Sequence, residues 1–162
     1  MTKILIIYFS ETGNTEKMAY SVAEGVREEG VEPQVKKVQE ASVDDLLDVD
    51  GIIIGSPTYF GTMAAEVKSF LDKSVVQFKR LAGKVGGAFA SSALLGGGNE
   101  TTVLALLQAL LIHGMIVEGT TEGGHYGPVA LGAPDRRCSE ECKQLGRRVA
   151  RLAKKLSSES AG

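Results

Sequence analysis

The chain has 162 residues with 18 basic and 20 acidic side chains, a net charge of −2, two cysteines and no tryptophan. That length suits one ordinary domain and is too short for two, and the near-balanced charge leaves no electrostatic footprint for nucleic acid or an anionic membrane surface. No apolar run approaches a membrane-spanning length and no signal-peptide pattern follows Met1, so we expect small-molecule partners, no membrane insertion and a cytoplasmic location.

Lys3 to Phe9 is a near-continuous apolar, β-branched run, the pattern of a strand buried on both faces at the centre of a parallel sheet. It leads into Ser10-Glu11-Thr12-Gly13-Asn14-Thr15. A strand that ends in hydroxyl residues and Gly and then opens a helix directs several backbone N–H groups at one point, where the positive end of the helix dipole suits a dianion. The turn has no Lys or Arg and matches neither the nucleoside-triphosphate loop nor the dinucleotide fingerprint. It therefore reads as a cradle in which neutral donors hold a monophosphate, or as a plain junction in which Thr12 or Asn14 caps the helix.

Asn14 to Glu29 repeats apolar groups at helical spacing (Met18, Val22, Val26) and stops at Gly30, a natural residue past a helix end. Glu32 to Val38 alternates apolar and charged residues, as an edge strand does, and Asp44 to Leu47 reads as a short helical turn. Ile52 to Ile54 is a second buried strand and runs into the loop Gly55-Ser56-Pro57-Thr58-Tyr59-Phe60-Gly61-Thr62. A helix follows from Met63 to Lys73, then a connection from Ser74 to Gly83. Lys84 to Ser92 is a third central strand, ending in the loop Ser91-Ser92-Ala93-Leu94-Leu95-Gly96-Gly97-Gly98.

The helix from Asn99 to His113 carries Leu and Val on more than one stripe, which leaves a second side for a subunit partner to cover. Met115 to Glu118 is a short strand, and Gly119 to Pro134 is a Gly-rich segment long enough to be a functional loop. The last helix, Asp135 to Leu156, has Cys138, Cys142, Leu145, Val149 and Leu152 on one face. Its i,i+4 cysteines are too far apart for an unstrained disulfide and read as free core thiols, with a redox or metal role as the alternative. The domain is thus residues 1–156, with 157–162 a short polar tail, and no metal site is expected.

Alternating strands and helices predict an α/β fold with an open, doubly wound parallel sheet and helices on both faces. In such sheets ligands bind beyond the carboxyl ends of the strands, where three loops are rich in Gly and hydroxyls. A phosphate at the first loop and a flat ring reaching the other two describe FMN. Pro57, Thr58, Tyr59 and Phe60 would pack beside or bond the ring, unless the two aromatics are ordinary core residues. Ser91, Ser92 and their small neighbours would let backbone approach its edge. His113 at a helix end suits either the dipole or a ligand, and His125 and Tyr126 are either surface loop residues or a pocket lid.

The order of motifs resembles a known family. Ser-x-Thr-Gly-Asn-Thr at Ser10 to Thr15 is similar to the FMN phosphate loop of flavodoxin-like proteins. Gly55 to Met63, Phe70-Leu71-Asp72, Ser91 to Glu100, Ile112 to Met115 and Gly123 to Gly127 together resemble the tryptophan-repressor-binding-protein type of NAD(P)H:quinone oxidoreductase. The resemblance implies a five-stranded parallel sheet of order 2-1-3-4-5, bound FMN, NADH or NADPH as co-substrate, a quinone acceptor and a homodimer or homotetramer. Carried over by position, Ser10, Glu11, Thr12, Gly13, Asn14 and Thr15 would hold the phosphate, and Pro57 to Gly61 would line the flavin ring. Ser91, Ser92, Ala93, Leu94, Gly96 and Gly97 would contact ring and ribityl groups, and His113 would close the far side. His113 and Tyr59 are the candidates for tuning the ring or orienting substrate, and Asp72 could reach a neighbour's flavin. Two departures stand out: Tyr59 replaces the family's Arg, and the pocket tryptophan has no equivalent. An electron-carrier flavodoxin, or a regulatory FMN-binding protein without catalysis, is the alternative.

Overall fold

The structure is a computed structural model that describes residues 1–159. Seven strands, β1 (Ile4–Tyr8), β2 (Gln34–Lys37), β3 (Gly51–Tyr59), β4 (Thr62–Met63), β5 (Val85–Ser92), β6 (Ile116–Val117) and β7 (Val129–Leu131), form one sheet. The helices are α1 (Asn14–Glu28), α2 (Ala65–Lys73), α3 (Asn99–Ile112) and α4 (Arg136–Glu159).

The parallel path is β2-β1-β3-β5-β6, with β7 pairing parallel to β5 and β4 antiparallel to β3. This is the expected 2-1-3-4-5 order once β4 is counted with β3 and β6 with β7. Alternate residues of each strand face opposite layers. Ile4, Ile6, Ile53 and Phe89 pack under α1 and α4, whereas Leu5, Ile7, Ile52, Ile54 and Ala88 pack under α2 and α3. Both cysteines are free and fully buried in the first of these layers, as the core-thiol reading expects.

Three expectations need correction. The stretch Gly55 to Tyr59 is not loop but the continuation of β3, which projects beyond the end of β1 and turns back into β4. Pro57 fits there because Gly55, of the same pleat parity, turns its carbonyl to β1 and accepts from Phe9 N. The missing N–H of Pro57 therefore faces the space past the end of β1. The Gly-rich segment contains a strand, β7, because the fifth strand is interrupted: β6 pairs with Val85 and Gly86, β7 with Ala90 to Ser92, and residues 118–128 loop out between them. Finally, α4 runs through Glu159, so Ser157 to Glu159 belong to the helix, while the rest of the expected polar tail, 160–162, lies outside the described residues.

Helices α1 and α4 cross closely because glycine faces backbone at the crossing. A Cβ on Gly25 would overlap the Lys143 carbonyl, and one on Gly146 would overlap the Val22 carbonyl. Neither obstacle is a flexible side-chain end, so the helices would have to separate. Gly146→Ala is expected to cost about 1 to 3 kcal/mol, the usual range for overpacking, measured as a lowered urea midpoint. An unchanged midpoint would show that the crossing is looser than described.

Candidate functional site

Strands β1, β3 and β5 are neighbours, and the chain leaves β1 towards β2 on one side and β3 on the other. That reversal is the switch point at which doubly wound sheets take ligands. The three loops singled out in the sequence all leave the carboxyl ends of these strands, so the fold brings them together.

The first loop is organised from within. Ser10 Oγ accepts from Gly13 N at 3.1 Å, and Gly13, at φ +93°, turns the chain into α1. No side chain caps α1, so the capping alternative for Thr12 and Asn14 does not hold. The first-turn N–H groups of this helix are left to an external acceptor. Tyr8, buried at the end of β1, donates to Glu16 Oε2 at 2.6 Å and pins the first turn of α1. This anchor was not apparent in the sequence, since a Tyr inside an apolar run reads as core.

Thr15 also has a structural partner. It is 1% exposed, and its Oγ1 is 2.9 Å from Ser91 Oγ, across the layer from α1 to the end of β5. It fixes the distance between the first and third loops. Ser92 is likewise committed: its hydroxyl donates to Leu94 O at 3.1 Å and accepts from Asn99 Nδ2 at 3.0 Å. Asn99, another residue the sequence reading passed over, thus ties the third loop to the start of α3. Ala93, Leu94, Gly96 and Gly97 remain exposed along this loop. Like α1, α3 begins at a left-handed glycine, Gly98 at φ +97°, without a side-chain cap.

The second loop is a wall. Ser56 Oγ accepts from Ala64 N at 2.9 Å and donates to Pro57 O, which holds the base of the β3–β4 hairpin. Tyr59 pairs with Thr62 around a two-residue turn in which Phe60 and Gly61 both have positive φ, 49° and 84°. A mirror-type turn suits the strand twist, but Phe is an uncommon residue in the left-handed region. Its ring is fully exposed, and Tyr59 is 42% exposed while standing edge-on to Phe9 at 6.4 Å. Burial, then Glu11 and Glu66, raise the Tyr59 phenol above its ordinary value, so it stays protonated. Gly61 lies against Gly98, and Thr101 Oγ1 donates to Gly61 O at 3.3 Å, so the hairpin and the third loop touch. Thr58 Oγ1 is buried without a partner among the described residues.

His113 is not with these loops. It caps the carboxyl end of α3, and a fourteen-residue helix separates it from Gly98 by about 20 Å at 1.5 Å per residue. Within one chain it cannot close the far side of a ring held by the three loops. Ser74 Oγ donates to Leu71 O at 2.6 Å and so accepts from His113 Nε2–H at 2.7 Å. That fixes the neutral tautomer with a bare Nδ1, which is buried without a partner among the described residues. His113 and Asp72 line a groove of about 670 Å³ between α2 and α3, together with Met63, Leu71, Phe78 and Ile112. His125 and Tyr126 are exposed on the looped-out segment; His125 Nδ1 is 3.0 Å from Thr120 O.

What the geometry defines is a doubly wound α/β protein with three ligand loops at its switch point. Residues 5–95 match the flavodoxin domain, and the chain belongs to that family. A protein named NAD(P)H dehydrogenase (quinone) from Archaeoglobus fulgidus is 38% identical over 190 aligned positions, covering 96% of this chain and 100% of that one. A flavodoxin from Aquifex aeolicus is 42% identical over 159 positions, covering 93% of this chain and 86% of its own. The crystal structure of a flavodoxin, WrbA-like protein from Agrobacterium tumefaciens superposes with a TM-score of 0.82 at 27% identity, covering 96% of this chain and 99% of that one.

Burial holds the His113 pKa below its ordinary 6.5. The folded chain then binds fewer protons at this residue than the unfolded chain, so stability is lost as pH falls through about 6.5. His113→Gln, which cannot protonate, should lose less melting temperature than the parent between pH 7 and pH 5. Parallel pH profiles would remove His113 from this account.

Proposed function

We propose that this chain is an FMN-dependent NAD(P)H:quinone oxidoreductase. The observation that carries the reading is the uncapped amino end of α1 at the switch point, within reach of two further ligand loops. A phosphate monoester suits it, since Thr12, Asn14 and the main-chain amides are neutral donors at the positive end of the helix dipole. The orphaned Thr58 hydroxyl and the glycines of the third loop fit the polar edge and close backbone approach of a flavin ring. The names carried by near-full-length relatives support the nicotinamide and quinone parts of the reading.

When bound, FMN supplies two-electron exchange between nicotinamide and quinone. The chain's residues do the rest by binding and orientation. Thr15 and Ser91 set the spacing of the phosphate loop from the ring loop, Pro57 to Gly61 form one wall, and Tyr59 offers a neutral hydroxyl at its rim. No side chain needs to form a covalent bond.

The partner is proposed to be a second copy, in a homodimer or homotetramer. Support comes from the α2–α3 face, where Val75, Val76, Phe78, Leu111 and Ile112 are large apolar side chains left exposed, the kind of surface that marks an interaction site. Two such faces related by a two-fold axis across the helices would carry each His113 and Asp72 towards the partner's hairpin. The second reading, an electron carrier, is favoured by the match to the Aquifex flavodoxin, which aligns over 159 positions. No helix among the described residues is long and apolar enough to cross a membrane.

The FMN-loaded protein should bleach within seconds on mixing with NADH or NADPH and recover its colour on adding benzoquinone. Failure of both nucleotides to bleach a flavin that dithionite reduces would move the assignment to the carrier. Absence of measurable FMN affinity would overturn both.

A further inference from the structure

The loops that surround the site are free of positive charge. Residues 9–15, 55–66, 91–101 and 118–135, which cover the carboxyl ends of β1, β3 and β5 and the looped-out segment, contain no Lys or Arg. They contain Glu11, Glu66, Glu100, Glu118, Glu122 and Asp135. Three of these acids border the mouth. Glu11 and Glu66 both act electrostatically on Tyr59, and Glu100 is exposed in the first turn of α3, beside the hairpin that Thr101 touches.

Three of the cations flanking these loops face carboxylates, and Lys73 stands two turns along α2 from Glu66. Lys68 bonds Asp72 at 2.7 Å, Arg137 bonds Glu141 at 2.7 Å, and Lys37 lies 4.0 Å from Glu16. Lys17 stands at the end of the first turn of α1 and Arg136 at the start of α4, both in the helix layer across the sheet from Glu66 and Glu100. Tyr59 itself is a neutral group at the rim. A phosphate dianion on the first loop would make the mouth more negative still.

We infer that the site discriminates between the two nicotinamide nucleotides and takes NADH in preference to NADPH, because the rim built by this chain's own loops offers the 2′-phosphate three carboxylates and no cation, and the Lys68 that would arrive from a second copy comes already paired with Asp72. The inference rests on the reductase reading above and names its co-substrate. The extra phosphate of NADPH brings close to two negative charges to a rim bearing Glu11, Glu66 and Glu100, and a like-charge contact of this kind raises the cost of association without improving any other contact. Repulsion between exposed charges is screened by salt, with a Debye length of about 10 Å at 0.1 M and about 3 Å at 1 M. The preference must therefore shrink at high ionic strength, which a preference set by shape would not do.

The test is anaerobic stopped-flow reduction of the FMN-loaded protein by each nucleotide, at low salt and in 1 M NaCl, with Glu66→Lys and Glu66→Gln alongside. Binding of ADP-ribose and its 2′-phosphate is measured by calorimetry as a readout independent of turnover. The second-order rate with NADH should exceed that with NADPH at least tenfold at low salt. The ratio should narrow severalfold in high salt and in Glu66→Lys, and less in Glu66→Gln, with the binding ratio moving in the same order. Equal rates with the two nucleotides, faster reduction by NADPH, or a ratio indifferent to salt and to Glu66→Lys would overturn the inference and leave the reductase reading standing. Failure of both nucleotides to reduce the flavin would overturn both.

Discussion

The hydrogen bond between Thr15 and Ser91 is the constraint on which the site depends. It lies between residues 76 apart in the chain and is closed to water. One partner is in the first turn of α1 and the other near the end of β5, so a single contact sets the separation of the phosphate loop from the ring loop. Losing either hydroxyl would leave the other buried and unsatisfied, which is costlier than the bond itself is favourable. Around it, Tyr8 holds the helix from below through Glu16, and Ser56 and Asn99 hold the hairpin and the third loop. Most hydroxyls near the site are thus structural, and the groups left to a ligand are mainly backbone N–H.

This division of labour would let loops that contain no cation hold the dianion proposed for them. The positive potential comes from the uncapped end of α1 and is pre-aimed by the left-handed Gly13. The surrounding acids would then act as a filter at the mouth. An arginine in place of Tyr59, as in the family the chain resembles, would have joined binding and filtering in one residue. Here the two are separate, since Tyr59 is held by Phe9 and stays uncharged.

Much of this was legible in the chain. Buried strands declare themselves by unbroken β-branched runs such as Ile4 to Ile7 and Ile52 to Ile54, and the phosphate loop by hydroxyls and Gly between a strand and a helix. What was not legible depends on neighbours. Gly55 to Tyr59 carries turn residues, and only the early end of β1 makes Pro57 acceptable as strand. The three residues of β7 gain their pairing from β5 alone, and Gly127 is required because its Cβ would overlap the Ala88 carbonyl. For His113 the reason is related: sequence shows that it ends a helix, but not that within one chain this end points away from the loops.

The central claim is that the loops after β1, β3 and β5 form one ligand site. Amide chemical-shift mapping during titration of the isotopically labelled protein with FMN tests it most directly. The account predicts that the largest shifts fall on residues 10–15, 57–61 and 91–98, including the amides at the start of α1. Shifts confined to the groove between α2 and α3, with the phosphate loop unmoved, would contradict it.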